Sequence, residues 1–157
     1  MPTTRIGLWF DTQALEAAEY YVAIFPNSQI SHVSYWGPEN PDREGTPLVV
    51  LFTLDGREFS AVNGGPDFPF TEAISIEIEC ADQTELDYYW STLSRGGSEV
   101  QCGWLKDRYG LSWQVTPRRL GELMTDPDPA RVQRVKEAMF AMVKLDVAAL
   151  EAAAEAG

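Results

Sequence analysis

Apolar positions recur along this chain at two spacings, and the alternation between them divides it into elements. "RIGLWF" (5–10) reads as a short strand, after which Leu15, Ala18, Tyr21, Val22 and Phe25 recur at helical spacing behind Asp11, a residue placed to cap the helix. Pro26 ends that helix, because the residue before a proline avoids the α region. "QISHVSYW" (29–36) and "PLVVLFTL" (47–54) are rich in β-branched and aromatic residues, and Asp55-Gly56 supplies the two positive-φ positions of a tight hairpin into "REFSAVN" (57–63). The first half is therefore β-α-β-β-β, closed by Gly64, Gly65 and Pro66.

The second half repeats this order. "AISIEIEC" (73–80) alternates Ile74, Ile76, Ile78 and Cys80 with Ser75, Glu77 and Glu79, the pattern of a strand with one dry and one acidic face. Asp82 and Glu85 form a capping box for a helix bearing Leu86, Tyr89, Trp90 and Leu93, and Gly96-Gly97 stops it. Short β segments in "SEVQCGWL" (98–105) lead to the hairpin "KDRYGLSWQV" (106–115), where Asp107 starts the turn and Gly110 takes the left-handed position. Tyr20-Tyr21 corresponds to Tyr88-Tyr89, and Gly56 to Gly110, an order that points to internal duplication. Beyond Pro117 the chain predicts three further helices: "RRLGELM" (118–124), one capped by Asp128 with Pro129 at its first position, and an Ala-rich one capped by Asp146. Val132, Val135, Met139 and Met142 form the apolar stripe of the middle helix, suited to covering a sheet or a partner subunit.

The resulting fold class is α+β: two fused βαβββ modules in residues 1–117 (1–66 and 67–117), with a helical extension over 118–157. Twelve basic against 24 acidic residues give a net charge of −12, so nucleic acid and an anionic membrane surface are excluded as partners. No secretory pattern opens the chain and no apolar run approaches the ~20 residues of a membrane helix, so a cytoplasmic location is expected. Cys80 and Cys102 stand in no C-x-x-C pair and read as small buried hydrophobes.

Several runs, "LWFDTQALEAAEYYVAIFPNSQI", "EFSAVNGGPDFPFTEAISI", "CGWLKDRYGLSWQVTP" and "LGELMTDPDP", resemble the PhnB-like subgroup of the vicinal-oxygen-chelate superfamily. That superfamily includes glyoxalase I, extradiol dioxygenases and fosfomycin-resistance proteins, and the subgroup carries the name 3-demethylubiquinone-9 3-methyltransferase. The resemblance implies glyoxalase-like modules whose half-open sheets hold a small ligand, and a homodimer. In catalytic relatives it implies a divalent ion that polarises two neighbouring substrate oxygens, with ligands from the first and last strand of each module.

Set against that pattern, the last-strand glutamate of the relatives, four residues beyond the hairpin glycine, is Gln114 here, and its counterpart beyond Gly56 is Ser60. The opening strands offer Thr4 or Arg5 and Glu72 or Ala73 where histidines are usual, and the sole histidine, His32, lies on the second strand and reads as an ordinary surface or edge residue. Transition metals favour imidazole and carboxylate over a neutral amide, so no metal site is expected. Gln114, Asn63, Ser60 and Trp9 become the candidate ligand-binding residues, with Gln114 as the polar marker of an apolar site and Trp9 as an aromatic wall; Asn63 also suits ordinary turn chemistry before Gly-Gly-Pro. Strand alternation puts Trp113 opposite Gln114, under a helix.

The leading expectation is a small-molecule-binding protein with unknown cofactor requirement and no assigned catalytic residue. The alternatives are a divalent-metal lyase, isomerase or dioxygenase using Glu72, Asn63 or Gln114, and a structural or regulatory homodimer. Methyl transfer finds no sequence support, because "NGGPDFPF" is not the glycine-rich strand-to-helix turn of an adenosylmethionine enzyme.

Overall fold

A computed structural model describes residues 1–156. Two compact units make up the chain, Met1–Phe70 and Thr71–Gly157. The first contains β1 (Ile6–Phe10), α1 (Ala14–Ile24), β2 (Gln29–Tyr35), β3 (Pro47–Leu54) and β4 (Arg57–Asn63). Their order across the sheet is β1-β4-β3-β2, with β1 parallel to β4 and the other pairs antiparallel. The second unit repeats this connectivity in β5 (Ile76–Cys80), α2 (Gln83–Leu93), β6 (Ser98–Glu99), β7 (Trp104–Lys106) and β8 (Ser112–Pro117), ordered β5-β8-β7-β6. It continues into α3 (Arg118–Met124), α4 (Pro129–Ala141) and α5 (Val147–Glu155). These are two four-stranded mixed sheets of the glyoxalase-like α+β type.

In the first unit, α1 covers the sheet face that carries Leu8, Phe10, Val50, Phe52, Phe59 and Ala61, all buried. The helix buries Ala14, Ala17, Ala18, Tyr21 and Ile24 rather than the stripe expected from Leu15, Val22 and Phe25, which are half-buried. Small side chains at three of those five positions bring the helix close to the sheet, and Tyr21 stacks on Phe52. Asp11 does not cap α1. Gln13 occupies that position without a side-chain bond, and the buried Ala14 N–H instead donates to Asn63 Oδ1 from β4, at 2.9 Å. Phe25 is extended before Pro26, as expected.

Both hairpins form as the sequence predicts. Asp55 and Gly56 have φ of 45° and 76°, and Gly110 has φ of 86°. Beyond the first unit's last strand, Phe68 meets the Trp9 ring edge-on at 4.9 Å and Phe70 meets Phe10 at 5.2 Å, which ties the segment as far as Phe70 to the first unit.

In the second unit, β5 begins at Ile76, and Ile74 stands 57% exposed instead of lining a dry face. Asp82 caps α2 as expected, with Glu85 N–H donating to Asp82 Oδ1 at 2.9 Å, while the Glu85 carboxylate reaches one residue beyond the cap and accepts from Ala81 N–H at 2.6 Å. Gly97 is needed for close packing, since a Cβ there would lie 2.0 Å from the Lys106 carbonyl oxygen. The C-terminal helices hold their own apolar cluster of Leu123, Val135, Leu150 and Ala154, edged by Met139 and Met142. Asp128 and Asp146 cap α4 and α5 through Ala130 N–H and Ala149 N–H.

The extension is sewn to the rest of its unit by backbone and side-chain bonds. Cys102 and Gly103 N–H donate to the Met142 and Val143 carbonyls at 2.9 and 2.8 Å. Gln83 bridges the Leu145 carbonyl and the Val147 N–H, and Leu145 is fully buried beside Gly103.

Candidate functional site

Each sheet has one face covered by its helix and one free of it, and the register decides which side chains occupy the free face. In the first unit, Phe59, Ala61 and Asn63 of β4 are buried and alternate with the half-buried Ser60 and Val62. Ser60 lies between Gly7 of β1 and Leu51 of β3, while Val62 lies between Trp9 and Val49. Two rows thus cross the free face, Gly7–Ser60–Leu51–His32 and Trp9–Val62–Val49–Ser34. Ser60 and Trp9 share this face; Asn63 does not.

Both ends of the Asn63 amide serve the fold. Its Oδ1 accepts from Ala14 N–H, and its Nδ2 donates to the Pro47 carbonyl at 3.0 Å. Trp9 is fixed by a bond from Nε1 to the Gly65 carbonyl at 2.8 Å, with its ring lying against Gly64, where a Cβ would approach it to 2.1 Å.

His32 stands on the free face through an irregularity that alternation cannot anticipate. The ladder skips Ser31, so that Ile30 pairs with Phe52 on the helix side while His32 pairs with Leu51 on the free side. The Ser31 hydroxyl donates to the Leu51 carbonyl at 3.1 Å and holds the extra residue in place.

In the second unit, Trp113 and Val115 are buried on the helix side, and Gln114 and Thr116 occupy the free face. Trp113 is 1% exposed, as the alternation requires, and its Nε1 donates to Asp107 Oδ2 at 2.8 Å. Asp107 Oδ1 also accepts from Tyr109 and Leu111 N–H, so the buried carboxylate both builds the turn and anchors the indole. Gln114 Nε2 donates to Ser75 Oγ at 2.9 Å, which supplies the partner that a half-buried amide needs. Its Cα partners are Glu77 of β5 and Trp104 of β7.

Glu77, not Glu72, is therefore the carboxylate in register beside Gln114. Glu72 precedes β5 and forms an ion pair with Lys106, whose hydrogen bond holds the carboxyl below its usual range. Ser112, across from Lys106, is buried with its hydroxyl unpartnered among the described residues. Spacing from the hairpin glycines places Ser60 and Gln114 on the free faces, and His32 is exposed on the edge strand β2, as its sequence reading has it; the neighbours Ser75 and Glu77 follow from the register alone.

Among the described residues no three His, Cys, Asp or Glu side chains come together in a group able to hold a metal ion. Glu77 beside a neutral amide falls short of the imidazole and carboxylate set that such an ion favours.

A family model described as 3-demethylubiquinone-9 3-methyltransferase matches residues 3–116. The chain belongs to that family. A PhnB protein from Bacillus cereus, described with the same methyltransferase name, is 31% identical, with a TM-score of 0.68 over 74% of this chain and 99% of its own. Protein PA1353 from Pseudomonas aeruginosa shares the fold at 19% identity, with a TM-score of 0.63 over 74% of this chain and 98% of its own. So does the fosfomycin resistance protein FosX from Listeria monocytogenes, at 14% identity and a TM-score of 0.52, over 80% of this chain and 98% of its own. No curated protein matches the chain. Membership in this PhnB-like family carries with it the glyoxalase-like fold seen in both units. No helix among the described residues is long and apolar enough to cross a membrane.

Proposed function

We propose that this PhnB-like protein binds a small organic molecule with an apolar or aromatic body on its helix-free sheet faces, without a strong metal site. One observation carries the reading. In both units the residue four beyond the hairpin glycine is a half-buried, uncharged polar side chain on the free face: Ser60 next to Leu51, and Gln114 next to Trp104. Such a face offers apolar area for affinity and a few polar atoms for orientation. Trp9 contributes aromatic surface to the same reading, while Asn63 contributes indirectly by fixing the start of α1 against β4. A homodimer in the cytoplasm completes the proposal, with light scattering as the check on its mass.

The test is a thermal-shift panel of apolar and aromatic acids, amides and phenols, followed by calorimetry on each hit. At least one compound should raise the melting temperature, and the change in the unit that binds it, Ser60→Ala in the first or Gln114→Leu in the second, should weaken its binding by about tenfold, as expected for loss of one hydrogen bond near 1.4 kcal/mol. A panel with no hit would defeat the reading.

The alternative is a divalent-metal enzyme of the same fold, for which Glu77 beside Gln114 is the carboxylate in register. One equivalent of Mn, Fe, Ni or Zn in protein purified without chelator, lost on Glu77→Gln, would establish it. Adenosylmethionine giving no heat of binding would set aside methyl transfer.

A further inference from the structure

Within the first unit, only one imidazole is available, and the backbone departs from a regular ladder to present it. Uninterrupted alternation would place Ile30 and His32 on the same face. The skipped Ser31 separates them, sending Ile30 toward α1 and His32 to the row that contains Ser60. An irregular ladder forgoes regular pairing, and such bulges re-aim side chains beside functional sites. Next along the row is Leu51, an apolar spacer between the imidazole and the Ser60 hydroxyl. Of the other cations nearby, Arg5 lies 3.9 Å from the Glu58 carboxylate, and Arg43 is held on the Asn63 carbonyl and over the Trp36 ring.

We infer that His32 is the recognition residue for the carboxylate of an apolar or aromatic acid, whose body lies across Leu51 toward Ser60 and Trp9. This deepens the proposed ligand-binding reading and rests on it. A protonated imidazole donates a charge-assisted hydrogen bond to a carboxylate, which a serine hydroxyl cannot match. The flanking Val49, Leu51 and Val62 are uncharged, and Glu58, two residues before Ser60 on the same face, is the carboxylate that faces Arg5. The ligand class is therefore a monocarboxylic acid with a compact hydrophobic body that rests on Leu51 beside His32.

Because the chain has a single histidine, its ring signals in a nuclear magnetic resonance spectrum report this site alone. Isotope-labelled protein is titrated with benzoate and separately with neutral benzamide. Benzoate should move the His32 ring signals together with the Leu51 and Ser60 amides. His32→Gln should weaken benzoate roughly tenfold and leave benzamide unchanged, as loss of a charged hydrogen bond requires. A benzoate response on Leu51 and Ser60 with the ring unmoved, or equal binding by His32→Gln, overturns the role of His32 while ligand binding stands. If neither probe perturbs the face the inference also fails, and the parent reading falls with it only when the thermal-shift panel is silent too.

Discussion

Asn63 has the chemistry of a ligand-binding residue and the position of a structural one. Its amide receives the first N–H of α1 and donates to β3, so it does for the helix what a local cap such as Asp11 would otherwise do. A partner 49 residues away cannot be read from local spacing, which is why the sequence pointed to Asp11. Asn63→Ala should leave the buried Ala14 N–H unpaired and lower stability by about 1–3 kcal/mol, measured by urea denaturation. Asn63→Asp restores the acceptor but not the donor, and should recover only part of that loss. His32 illustrates the same limit: alternation identifies faces until a residue is skipped, and nothing in "QISHVSY" marks Ser31 as the one skipped. Ser60 and Gln114 were legible because a glycine hairpin fixes register over the few residues that follow it.

At the level of elements, turns and caps were the clearest signals. Asp55-Gly56, Gly110, Asp82 with Glu85, Asp128 and Asp146 act where their chemistry predicts, because each works through neighbours within four residues. The start of β5 was less legible: Ile74 keeps the strand's alternation but lies ahead of its pairing with β8, so the ladder starts at Ile76. Contacts that seat the C-terminal helices were also hidden in the sequence. Leu145, fully buried beside Gly103, lies in a stretch with no periodic pattern. Leu145→Ala should cost about 2–5 kcal/mol by removing a packed side chain, read as a lower denaturation midpoint, whereas Val143→Ala at a 42% exposed position should change little.

At the scale of the whole molecule, burial and the acidic excess act together on one thiol. Cys80 is buried, and desolvation, then the charges of Glu85, Asp82 and Glu79, push its thiol up to about 12. A raised thiol value favours the neutral form in the fold, so its contribution to stability is complete below about pH 9 and declines as pH rises toward 12. In native protein at pH 8, Cys80 should resist a thiol reagent while the half-buried Cys102 reacts first; denaturant should release both at similar rates. The family match ends at residue 116, and the three helices beyond it were legible as helices but not as part of the second unit.

Two strands of that second unit are very short, β6 with two residues and β7 with three, and the loop between them takes the carbonyls of Met142 and Val143 as acceptors for Cys102 and Gly103. The tail works as a stitch through the weakest seam of its sheet. Unpicking it by proteolysis would fray the edge around Trp104 first, and the Gln114 row would loosen before the core beneath α2 gave way.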